Sequence, residues 1–68
     1  MATYYVNKNP QSNGDHEVHK SGCGHSPDPQ NRQSLGDHSS CSSAVRKAKS
    51  YYNQVNGCYY CAETCHTQ

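Results

Sequence analysis

The sequence predicts a small α+β domain, with a short antiparallel hairpin or sheet and one main helix at about residues 41–55. Three observations predict it. Residues 3–7 (TYYVN) are β-prone and alternate in character, and a second alternating run, HEVHK at 16–20, follows shortly after. Further on, Cys41, Val45, Ala48, Tyr52 and Val55 recur at steps of four, three, four and three, which is one face of a helix.

In chain order, the first strand places Tyr4 and Val6 on one face and Tyr5 on the other. Residues 8–12 contain Pro10 and read as loop. Asn13-Gly14 is a hairpin signal of type I′, where both central residues take positive φ. In the second strand His16 and Val18 share one face, and Glu17 and His19 the other. Residues 21–37 are rich in Gly, Pro, Ser, Asn and Asp and read as an irregular loop. Pro27 and Pro29 bar a helix interior there, and residues 33–35 are a candidate third strand. Ser40 is the expected N-cap of the helix, and Asn56-Gly57 its stop. One domain spans 1–68, with a core at about 3–62 and residues 63–68 as a candidate frayed tail.

Such a chain is short of core. Leu, Ile, Val and Phe together supply five of 68 residues, far below the roughly 20% at which disorder is suspected. The formal charge of +1 is too small for a solvated coil. A domain of this size and composition needs a staple, either disulfides or a structural metal. The chain carries five Cys and five His as material for it. The N-terminal MATYYVNKNP lacks the charged and apolar regions of a secretory signal, and no apolar run suggests a membrane span. A cytoplasmic protein is therefore expected, where cysteines serve more often as metal ligands or free thiols than in disulfides. An odd cysteine count also resists complete pairing within one chain. The expected staple is a metal.

Cys58-Tyr59-Tyr60-Cys61 is the sharpest local motif. Two thiolates separated by two residues chelate one ion, because the intervening turn brings both sulfurs to one side. His19 and Cys23, in an H-x3-C arrangement with Gly22 between them, offer the remaining two ligands. His19, Cys23, Cys58 and Cys61 would then form a closed Cys3His site for Zn2+, with no open position for substrate. Cys65 and His66 are a competing pair, since C-x2-C-x3-C-H can supply four ligands locally. So short a cage would not tie the hairpin to the helix, and it ranks second. Cys41 lies on the apolar stripe and is expected as a small buried hydrophobe. His25 and His38 are expected to be solvated.

Catalysis is not expected. His16-Glu17-Val18-His19 superficially resembles the H-E-x-x-H signature, but that motif needs its two His at i and i+4 on a helix. A thioredoxin-type use of Cys58 and Cys61 needs a larger parallel sheet than this chain can build. The expected role is a small metal-stabilised binding module, monomeric and not membrane-bound, with nucleic acid or protein as partner. Arg46, Lys47 and Lys49 form a basic helix face that suits nucleic acid, whereas the net charge of +1 is low for a DNA-binding domain. Two alternatives stand beside it. One is a disulfide-stapled secreted protein. The other is a labile metal-handling or redox protein using Cys58, Cys61, Cys65 and His66.

The order of hairpin, His19-x3-Cys23, loop with Asn31-Arg32, Ser40 with Ala44 in the first helical turn, and Gly57-Cys58-x2-Cys61 resembles the Ada-like zinc-binding modules. That family includes the N-terminal domain of the Ada DNA-repair protein. The resemblance covers about residues 3–62. It implies a small α+β fold with a short antiparallel sheet, one helix and one structural zinc on His19, Cys23, Cys58 and Cys61. In the DNA-repair protein the first ligand is a Cys that accepts a methyl group from a DNA phosphotriester. Here that position is His19, so the resemblance implies the scaffold without alkyl transfer.

Overall fold

The computed structural model describes residues 1–66 and shows a small α+β fold, a four-stranded sheet with one helix. Strands β1 (Ala2–Asn7), β2 (His16–Lys20), β3 (Arg32–His38) and β4 (Val55–Gly57) lie in the order β3-β1-β2-β4. The helix α1 spans Cys41–Ala48, and short 3-10 turns cover Pro29–Asn31 and Glu63–Cys65.

β1 behaves as its alternation predicts. Tyr4 and Val6 are buried, while Tyr5 lies on the opposite face, with the Arg32 guanidinium 4.1 Å from its ring centroid. β1 pairs antiparallel with β2, setting Val6 against Val18 and Tyr5 against His19. The connection differs from the expected two-residue turn. Gly14 has φ +94° but, among the described residues, no non-glycine has positive φ, so Asn13-Gly14 does not form a type I′ turn. Instead Gly14 N–H donates to the Gln11 carbonyl, and Gln11 N–H to the Asp15 carbonyl, within a longer loop.

The third strand runs well beyond the expected 33–35 and pairs antiparallel with β1. Its register shifts between Tyr4 and Tyr5, which oppose Gly36 and Ser34 respectively. Leu35 is the extra residue of this bulge, and its side chain is buried. Gly36 takes φ +82°, a backbone state costly for residues with a Cβ.

The helix is shorter than the expected 41–55. It starts after Ser40 as predicted, but the Ser40 hydroxyl pairs with that of Ser42 and makes no capping bond. It ends at Ala48, where Ser50 and Tyr51 N–H groups bond three residues back and the turn tightens. Asn56-Gly57, expected as the stop, instead lies inside β4, which pairs parallel with β2. The sheet is consequently mixed rather than purely antiparallel. The physical reason is that β2 would otherwise present an unpaired edge, and satisfying its backbone groups outweighs a weak helical preference in Tyr51-Tyr52-Asn53. The apolar stripe still faces inward. Cys41, Ala44 and Ala48 are buried, Val45 and Val55 pack against the core, and Tyr52 stacks on His16 with centroids 3.8 Å apart.

The core comprises Tyr4, Val6, Val18, Leu35, Cys41, Ala44, Ala48, Cys58 and Ala62. Cys41 is in this core as expected, but it is no free thiol: it forms a disulfide with Cys65. The bond ties the start of α1 to the turn at Glu63–Cys65, so this part of the candidate frayed tail is anchored, while residues 67 and 68 lie outside the described residues. For a sequence separation of 24, chain-entropy arithmetic gives about 3.5 kcal/mol of stabilisation. The double variant Cys41→Ala/Cys65→Ala is expected to lose about that much in denaturant titrations at fixed metal concentration.

Candidate metal centre

Local turns bring four side chains together at one end of the sheet. His19 sits near the end of β2. After it the chain turns sharply, with Gly22 at φ +90° and Cys23 N–H donating to the Lys20 carbonyl, which returns Cys23 beside His19. Cys58 directly follows β4, and its N–H donates to the Val18 carbonyl at 2.8 Å, extending the β2–β4 ladder by one bond. The next turn is closed by Ala62 N–H on the Cys58 carbonyl and carries Cys61 back towards β2. There the Lys20 N–H donates to Cys61 Sγ at 3.2 Å.

The result is a set of one nitrogen and three sulfurs from His19, Cys23, Cys58 and Cys61, all within 4.8 Å of one another. Cys23 Sγ lies 3.9 Å from Cys58 Sγ, and Cys61 Sγ lies 3.9 Å from His19 Nδ1. Tetrahedral zinc with Zn–S bonds of about 2.3 Å requires sulfurs about 3.8 Å apart, so the cluster is close to that size. His19 and Cys58 are almost wholly buried, while Cys23 and Cys61 are partly exposed. These four are the residues expected from the sequence.

The competing set is not assembled. Cys65 is consumed by the disulfide, and His66 Nδ1–H donates to the Gly57 carbonyl at 3.0 Å. The sulfurs of Cys58, Cys61 and Cys65 therefore do not form one local cage. The five cysteines divide into one disulfide and three free thiols, which accounts for the odd number. His25 is exposed as expected, but stacks on Tyr60 at 3.9 Å. His38 departs from the solvated expectation: its ring lies between the Leu35 carbonyl and the Ser43 hydroxyl, at 2.7 and 2.9 Å. Arg46, Lys47 and Lys49 are exposed near the C-terminal end of α1, where cations suit the helix dipole.

Two further groups touch the site. Glu17 Oε1 lies 3.1 Å from His19 Nε2, while the other ring nitrogen, Nδ1, faces Cys61 Sγ. Gly57 allows the chain after Cys61 to fold back onto β4. A Cβ built there would lie 2.7 Å from Cys65 Cβ and 2.9 Å from the Ala62 oxygen. The E-x-H spacing on one strand was a readable signal for the first; nothing local announced the second.

Burial lowers the pKa of His19; Glu17 opposes that shift, while His25 and Arg32 add to it. Burial pushes the Cys61 thiol up to about 12, the Lys20 N–H opposes it, and the neighbouring Cys23 and Cys58 reinforce it. A ligand set of this kind must shed protons to take up a cation. His19 is therefore held neutral in the folded chain at neutral pH. Its folded pKa lies below the unfolded value of about 6.5, so its stabilising contribution is complete above that pH and is lost as pH falls through the folded value. Zinc affinity read by chelator competition is expected to fall steadily on acidification, because the thiols and the imidazole must shed their protons before they bind the ion.

Comparison of the chain with protein-family models, with curated proteins and with solved structures finds no match in any of the three.

Proposed function

We propose that the protein is a small zinc-stapled binding module, with one Zn2+ held by His19, Cys23, Cys58 and Cys61. The observation that carries this reading is the convergence of three thiols and one imidazole nitrogen within 4.8 Å, from two segments 34 residues apart in sequence. Soft sulfur donors with one imidazole suit zinc above harder divalent cations such as Mg2+ or Ca2+. Four protein ligands fill the tetrahedron, so the ion serves as a staple and not as a Lewis acid for substrate. The reading is accordingly non-enzymatic.

The Ada-like resemblance supports the same four ligands, and kinship with that family belongs to this proposal. So does the partner. Exposed Arg46, Lys47 and Lys49 favour nucleic-acid phosphates, with a protein partner as the other class considered. The Cys41–Cys65 bond bears on location, because disulfides persist mainly in oxidising compartments, and the expected cytoplasmic setting draws no support from it. Among the described residues no helix is long and apolar enough to cross a membrane.

Native mass spectrometry tests the reading. Protein purified without chelator is expected to carry one zinc per chain, with the Cys41–Cys65 bond intact. A chain that takes up no zinc when offered a small excess overturns it.

A further inference from the structure

We infer that Glu17 is the positioning residue of this centre, selecting Nδ1 of His19 as the nitrogen that faces the metal. The inference rests on the zinc reading above and deepens it. Glu17 and His19 are two residues apart on β2 and so share one face of the strand. The two ring nitrogens point in different directions. Nε2 lies 3.1 Å from Glu17 Oε1, and Nδ1 lies 3.9 Å from Cys61 Sγ. An ionised carboxylate is an acceptor only, so the proton belongs on Nε2 and the lone pair on Nδ1 is directed at Cys61 Sγ. The opposite tautomer would set the Nε2 lone pair against a carboxylate and aim a proton into the ligand cluster.

The carboxylate is itself held. Gln11 Nε2–H donates to Glu17 Oε2 at 2.7 Å, leaving Oε1 for the imidazole. The side chains of His19 and Glu17 are 2% and 17% exposed, so water competes weakly for their bond. A carboxylate behind a metal-binding imidazole fixes the ring and raises its basicity, and its loss commonly costs about 10- to 100-fold in metal affinity. The HEVH segment thus contains a metal-directed carboxylate after all, acting through its neighbour two residues on.

The test compares wild type, Glu17→Gln and Glu17→Ala, each loaded with zinc. Affinity is read by chelator competition, and the His19 ring by long-range 1H–15N correlation. Wild type is expected to show a protonated Nε2 and a zinc-bound Nδ1. Glu17→Ala should bind zinc about 10- to 100-fold more weakly and lose the uniform Nε2–H signature. Glu17→Gln keeps an acceptor oxygen and should retain the tautomer with most of the affinity. That rescue is one a purely structural role for the charge would not give. Zinc bound through Nε2 in the wild type, or a Glu17→Ala affinity equal to wild type, overturns the assignment of Glu17 and leaves the zinc reading standing. A wild type that binds no zinc overturns both.

Discussion

Cys58→Ser is expected to leave the chain largely unfolded, with the helical and strand features of its circular dichroism lost at 25 °C. Three roles meet at this position, and serine removes the first of them. Its Sγ is a proposed ligand, 3.9 Å from that of Cys23; its side chain is 1% exposed within the core; and its N–H extends the β2–β4 ladder. Serine is close in size, so packing changes little and the loss falls mainly on ligation. Structural zinc in small domains contributes about 10 kcal/mol or more, comparable with the whole stability of an ordinary domain at about 5–15 kcal/mol. The remaining apolar core, with Val6, Val18 and Leu35 as its only branched aliphatic members, cannot make up that difference. Thermal melts of the variant at saturating zinc should show no cooperative transition, while Cys41→Ala/Cys65→Ala retains one.

Gly57→Ala is expected to be the most damaging of the conservative substitutions. The new methyl would lie 2.7 Å from Cys65 Cβ and 2.9 Å from both the Ala62 oxygen and the Cys65 carbonyl carbon. Backbone must therefore move, and on both sides it is held. Cys65 is anchored to α1 through Cys41, and residue 57 pairs with Val18 in β2. Overpacking against fixed neighbours typically costs about 1–3 kcal/mol, and this contact belongs at the top of that range. Displacing the turn that carries Cys61 should weaken zinc binding at the same time. Gly24→Ala is the matched control, since nothing lies within 4 Å of its added methyl and its φ is ordinary, so its denaturant midpoint should stay near wild type.

The His/Cys3 cluster was legible in the sequence because each half of it is local. His19-x3-Cys23 and Cys58-x2-Cys61 each close a turn that brings its own two side chains together, and only the meeting of the two halves requires the fold. β1 was legible for a similar reason, since the alternation of Tyr4, Tyr5 and Val6 reports its faces directly. The departures are all non-local. β4 is three residues long and exists because β2 offers an edge, so Val55 reads equally well as the next turn of a helix. The inward stripe was right about burial at Tyr52 and Val55 and wrong about the backbone that achieves it. Leu35 reaches the core only through the bulge at Gly36, which depends on register with β1. The disulfide was hidden because Cys41 also satisfies the pattern of an apolar helix position, and Cys65 sits close enough to Cys61 to resemble a ligand.

The shortage of apolar side chains is thus met twice over, by a covalent bond at one end of α1 and by the proposed ion at the end of β2. Both act on the same segment, residues 57–65, which folds back onto the sheet and would otherwise have little to hold it. The most direct test of the proposed division is reversible metal removal with the disulfide left oxidised. The zinc-loaded protein is treated with a strong chelator in non-reducing buffer, followed by far-ultraviolet circular dichroism, and zinc is then restored. The account predicts loss of the folded spectrum on chelation and its recovery with one equivalent of zinc per chain. A folded spectrum and melting transition that persist unchanged without metal would contradict it.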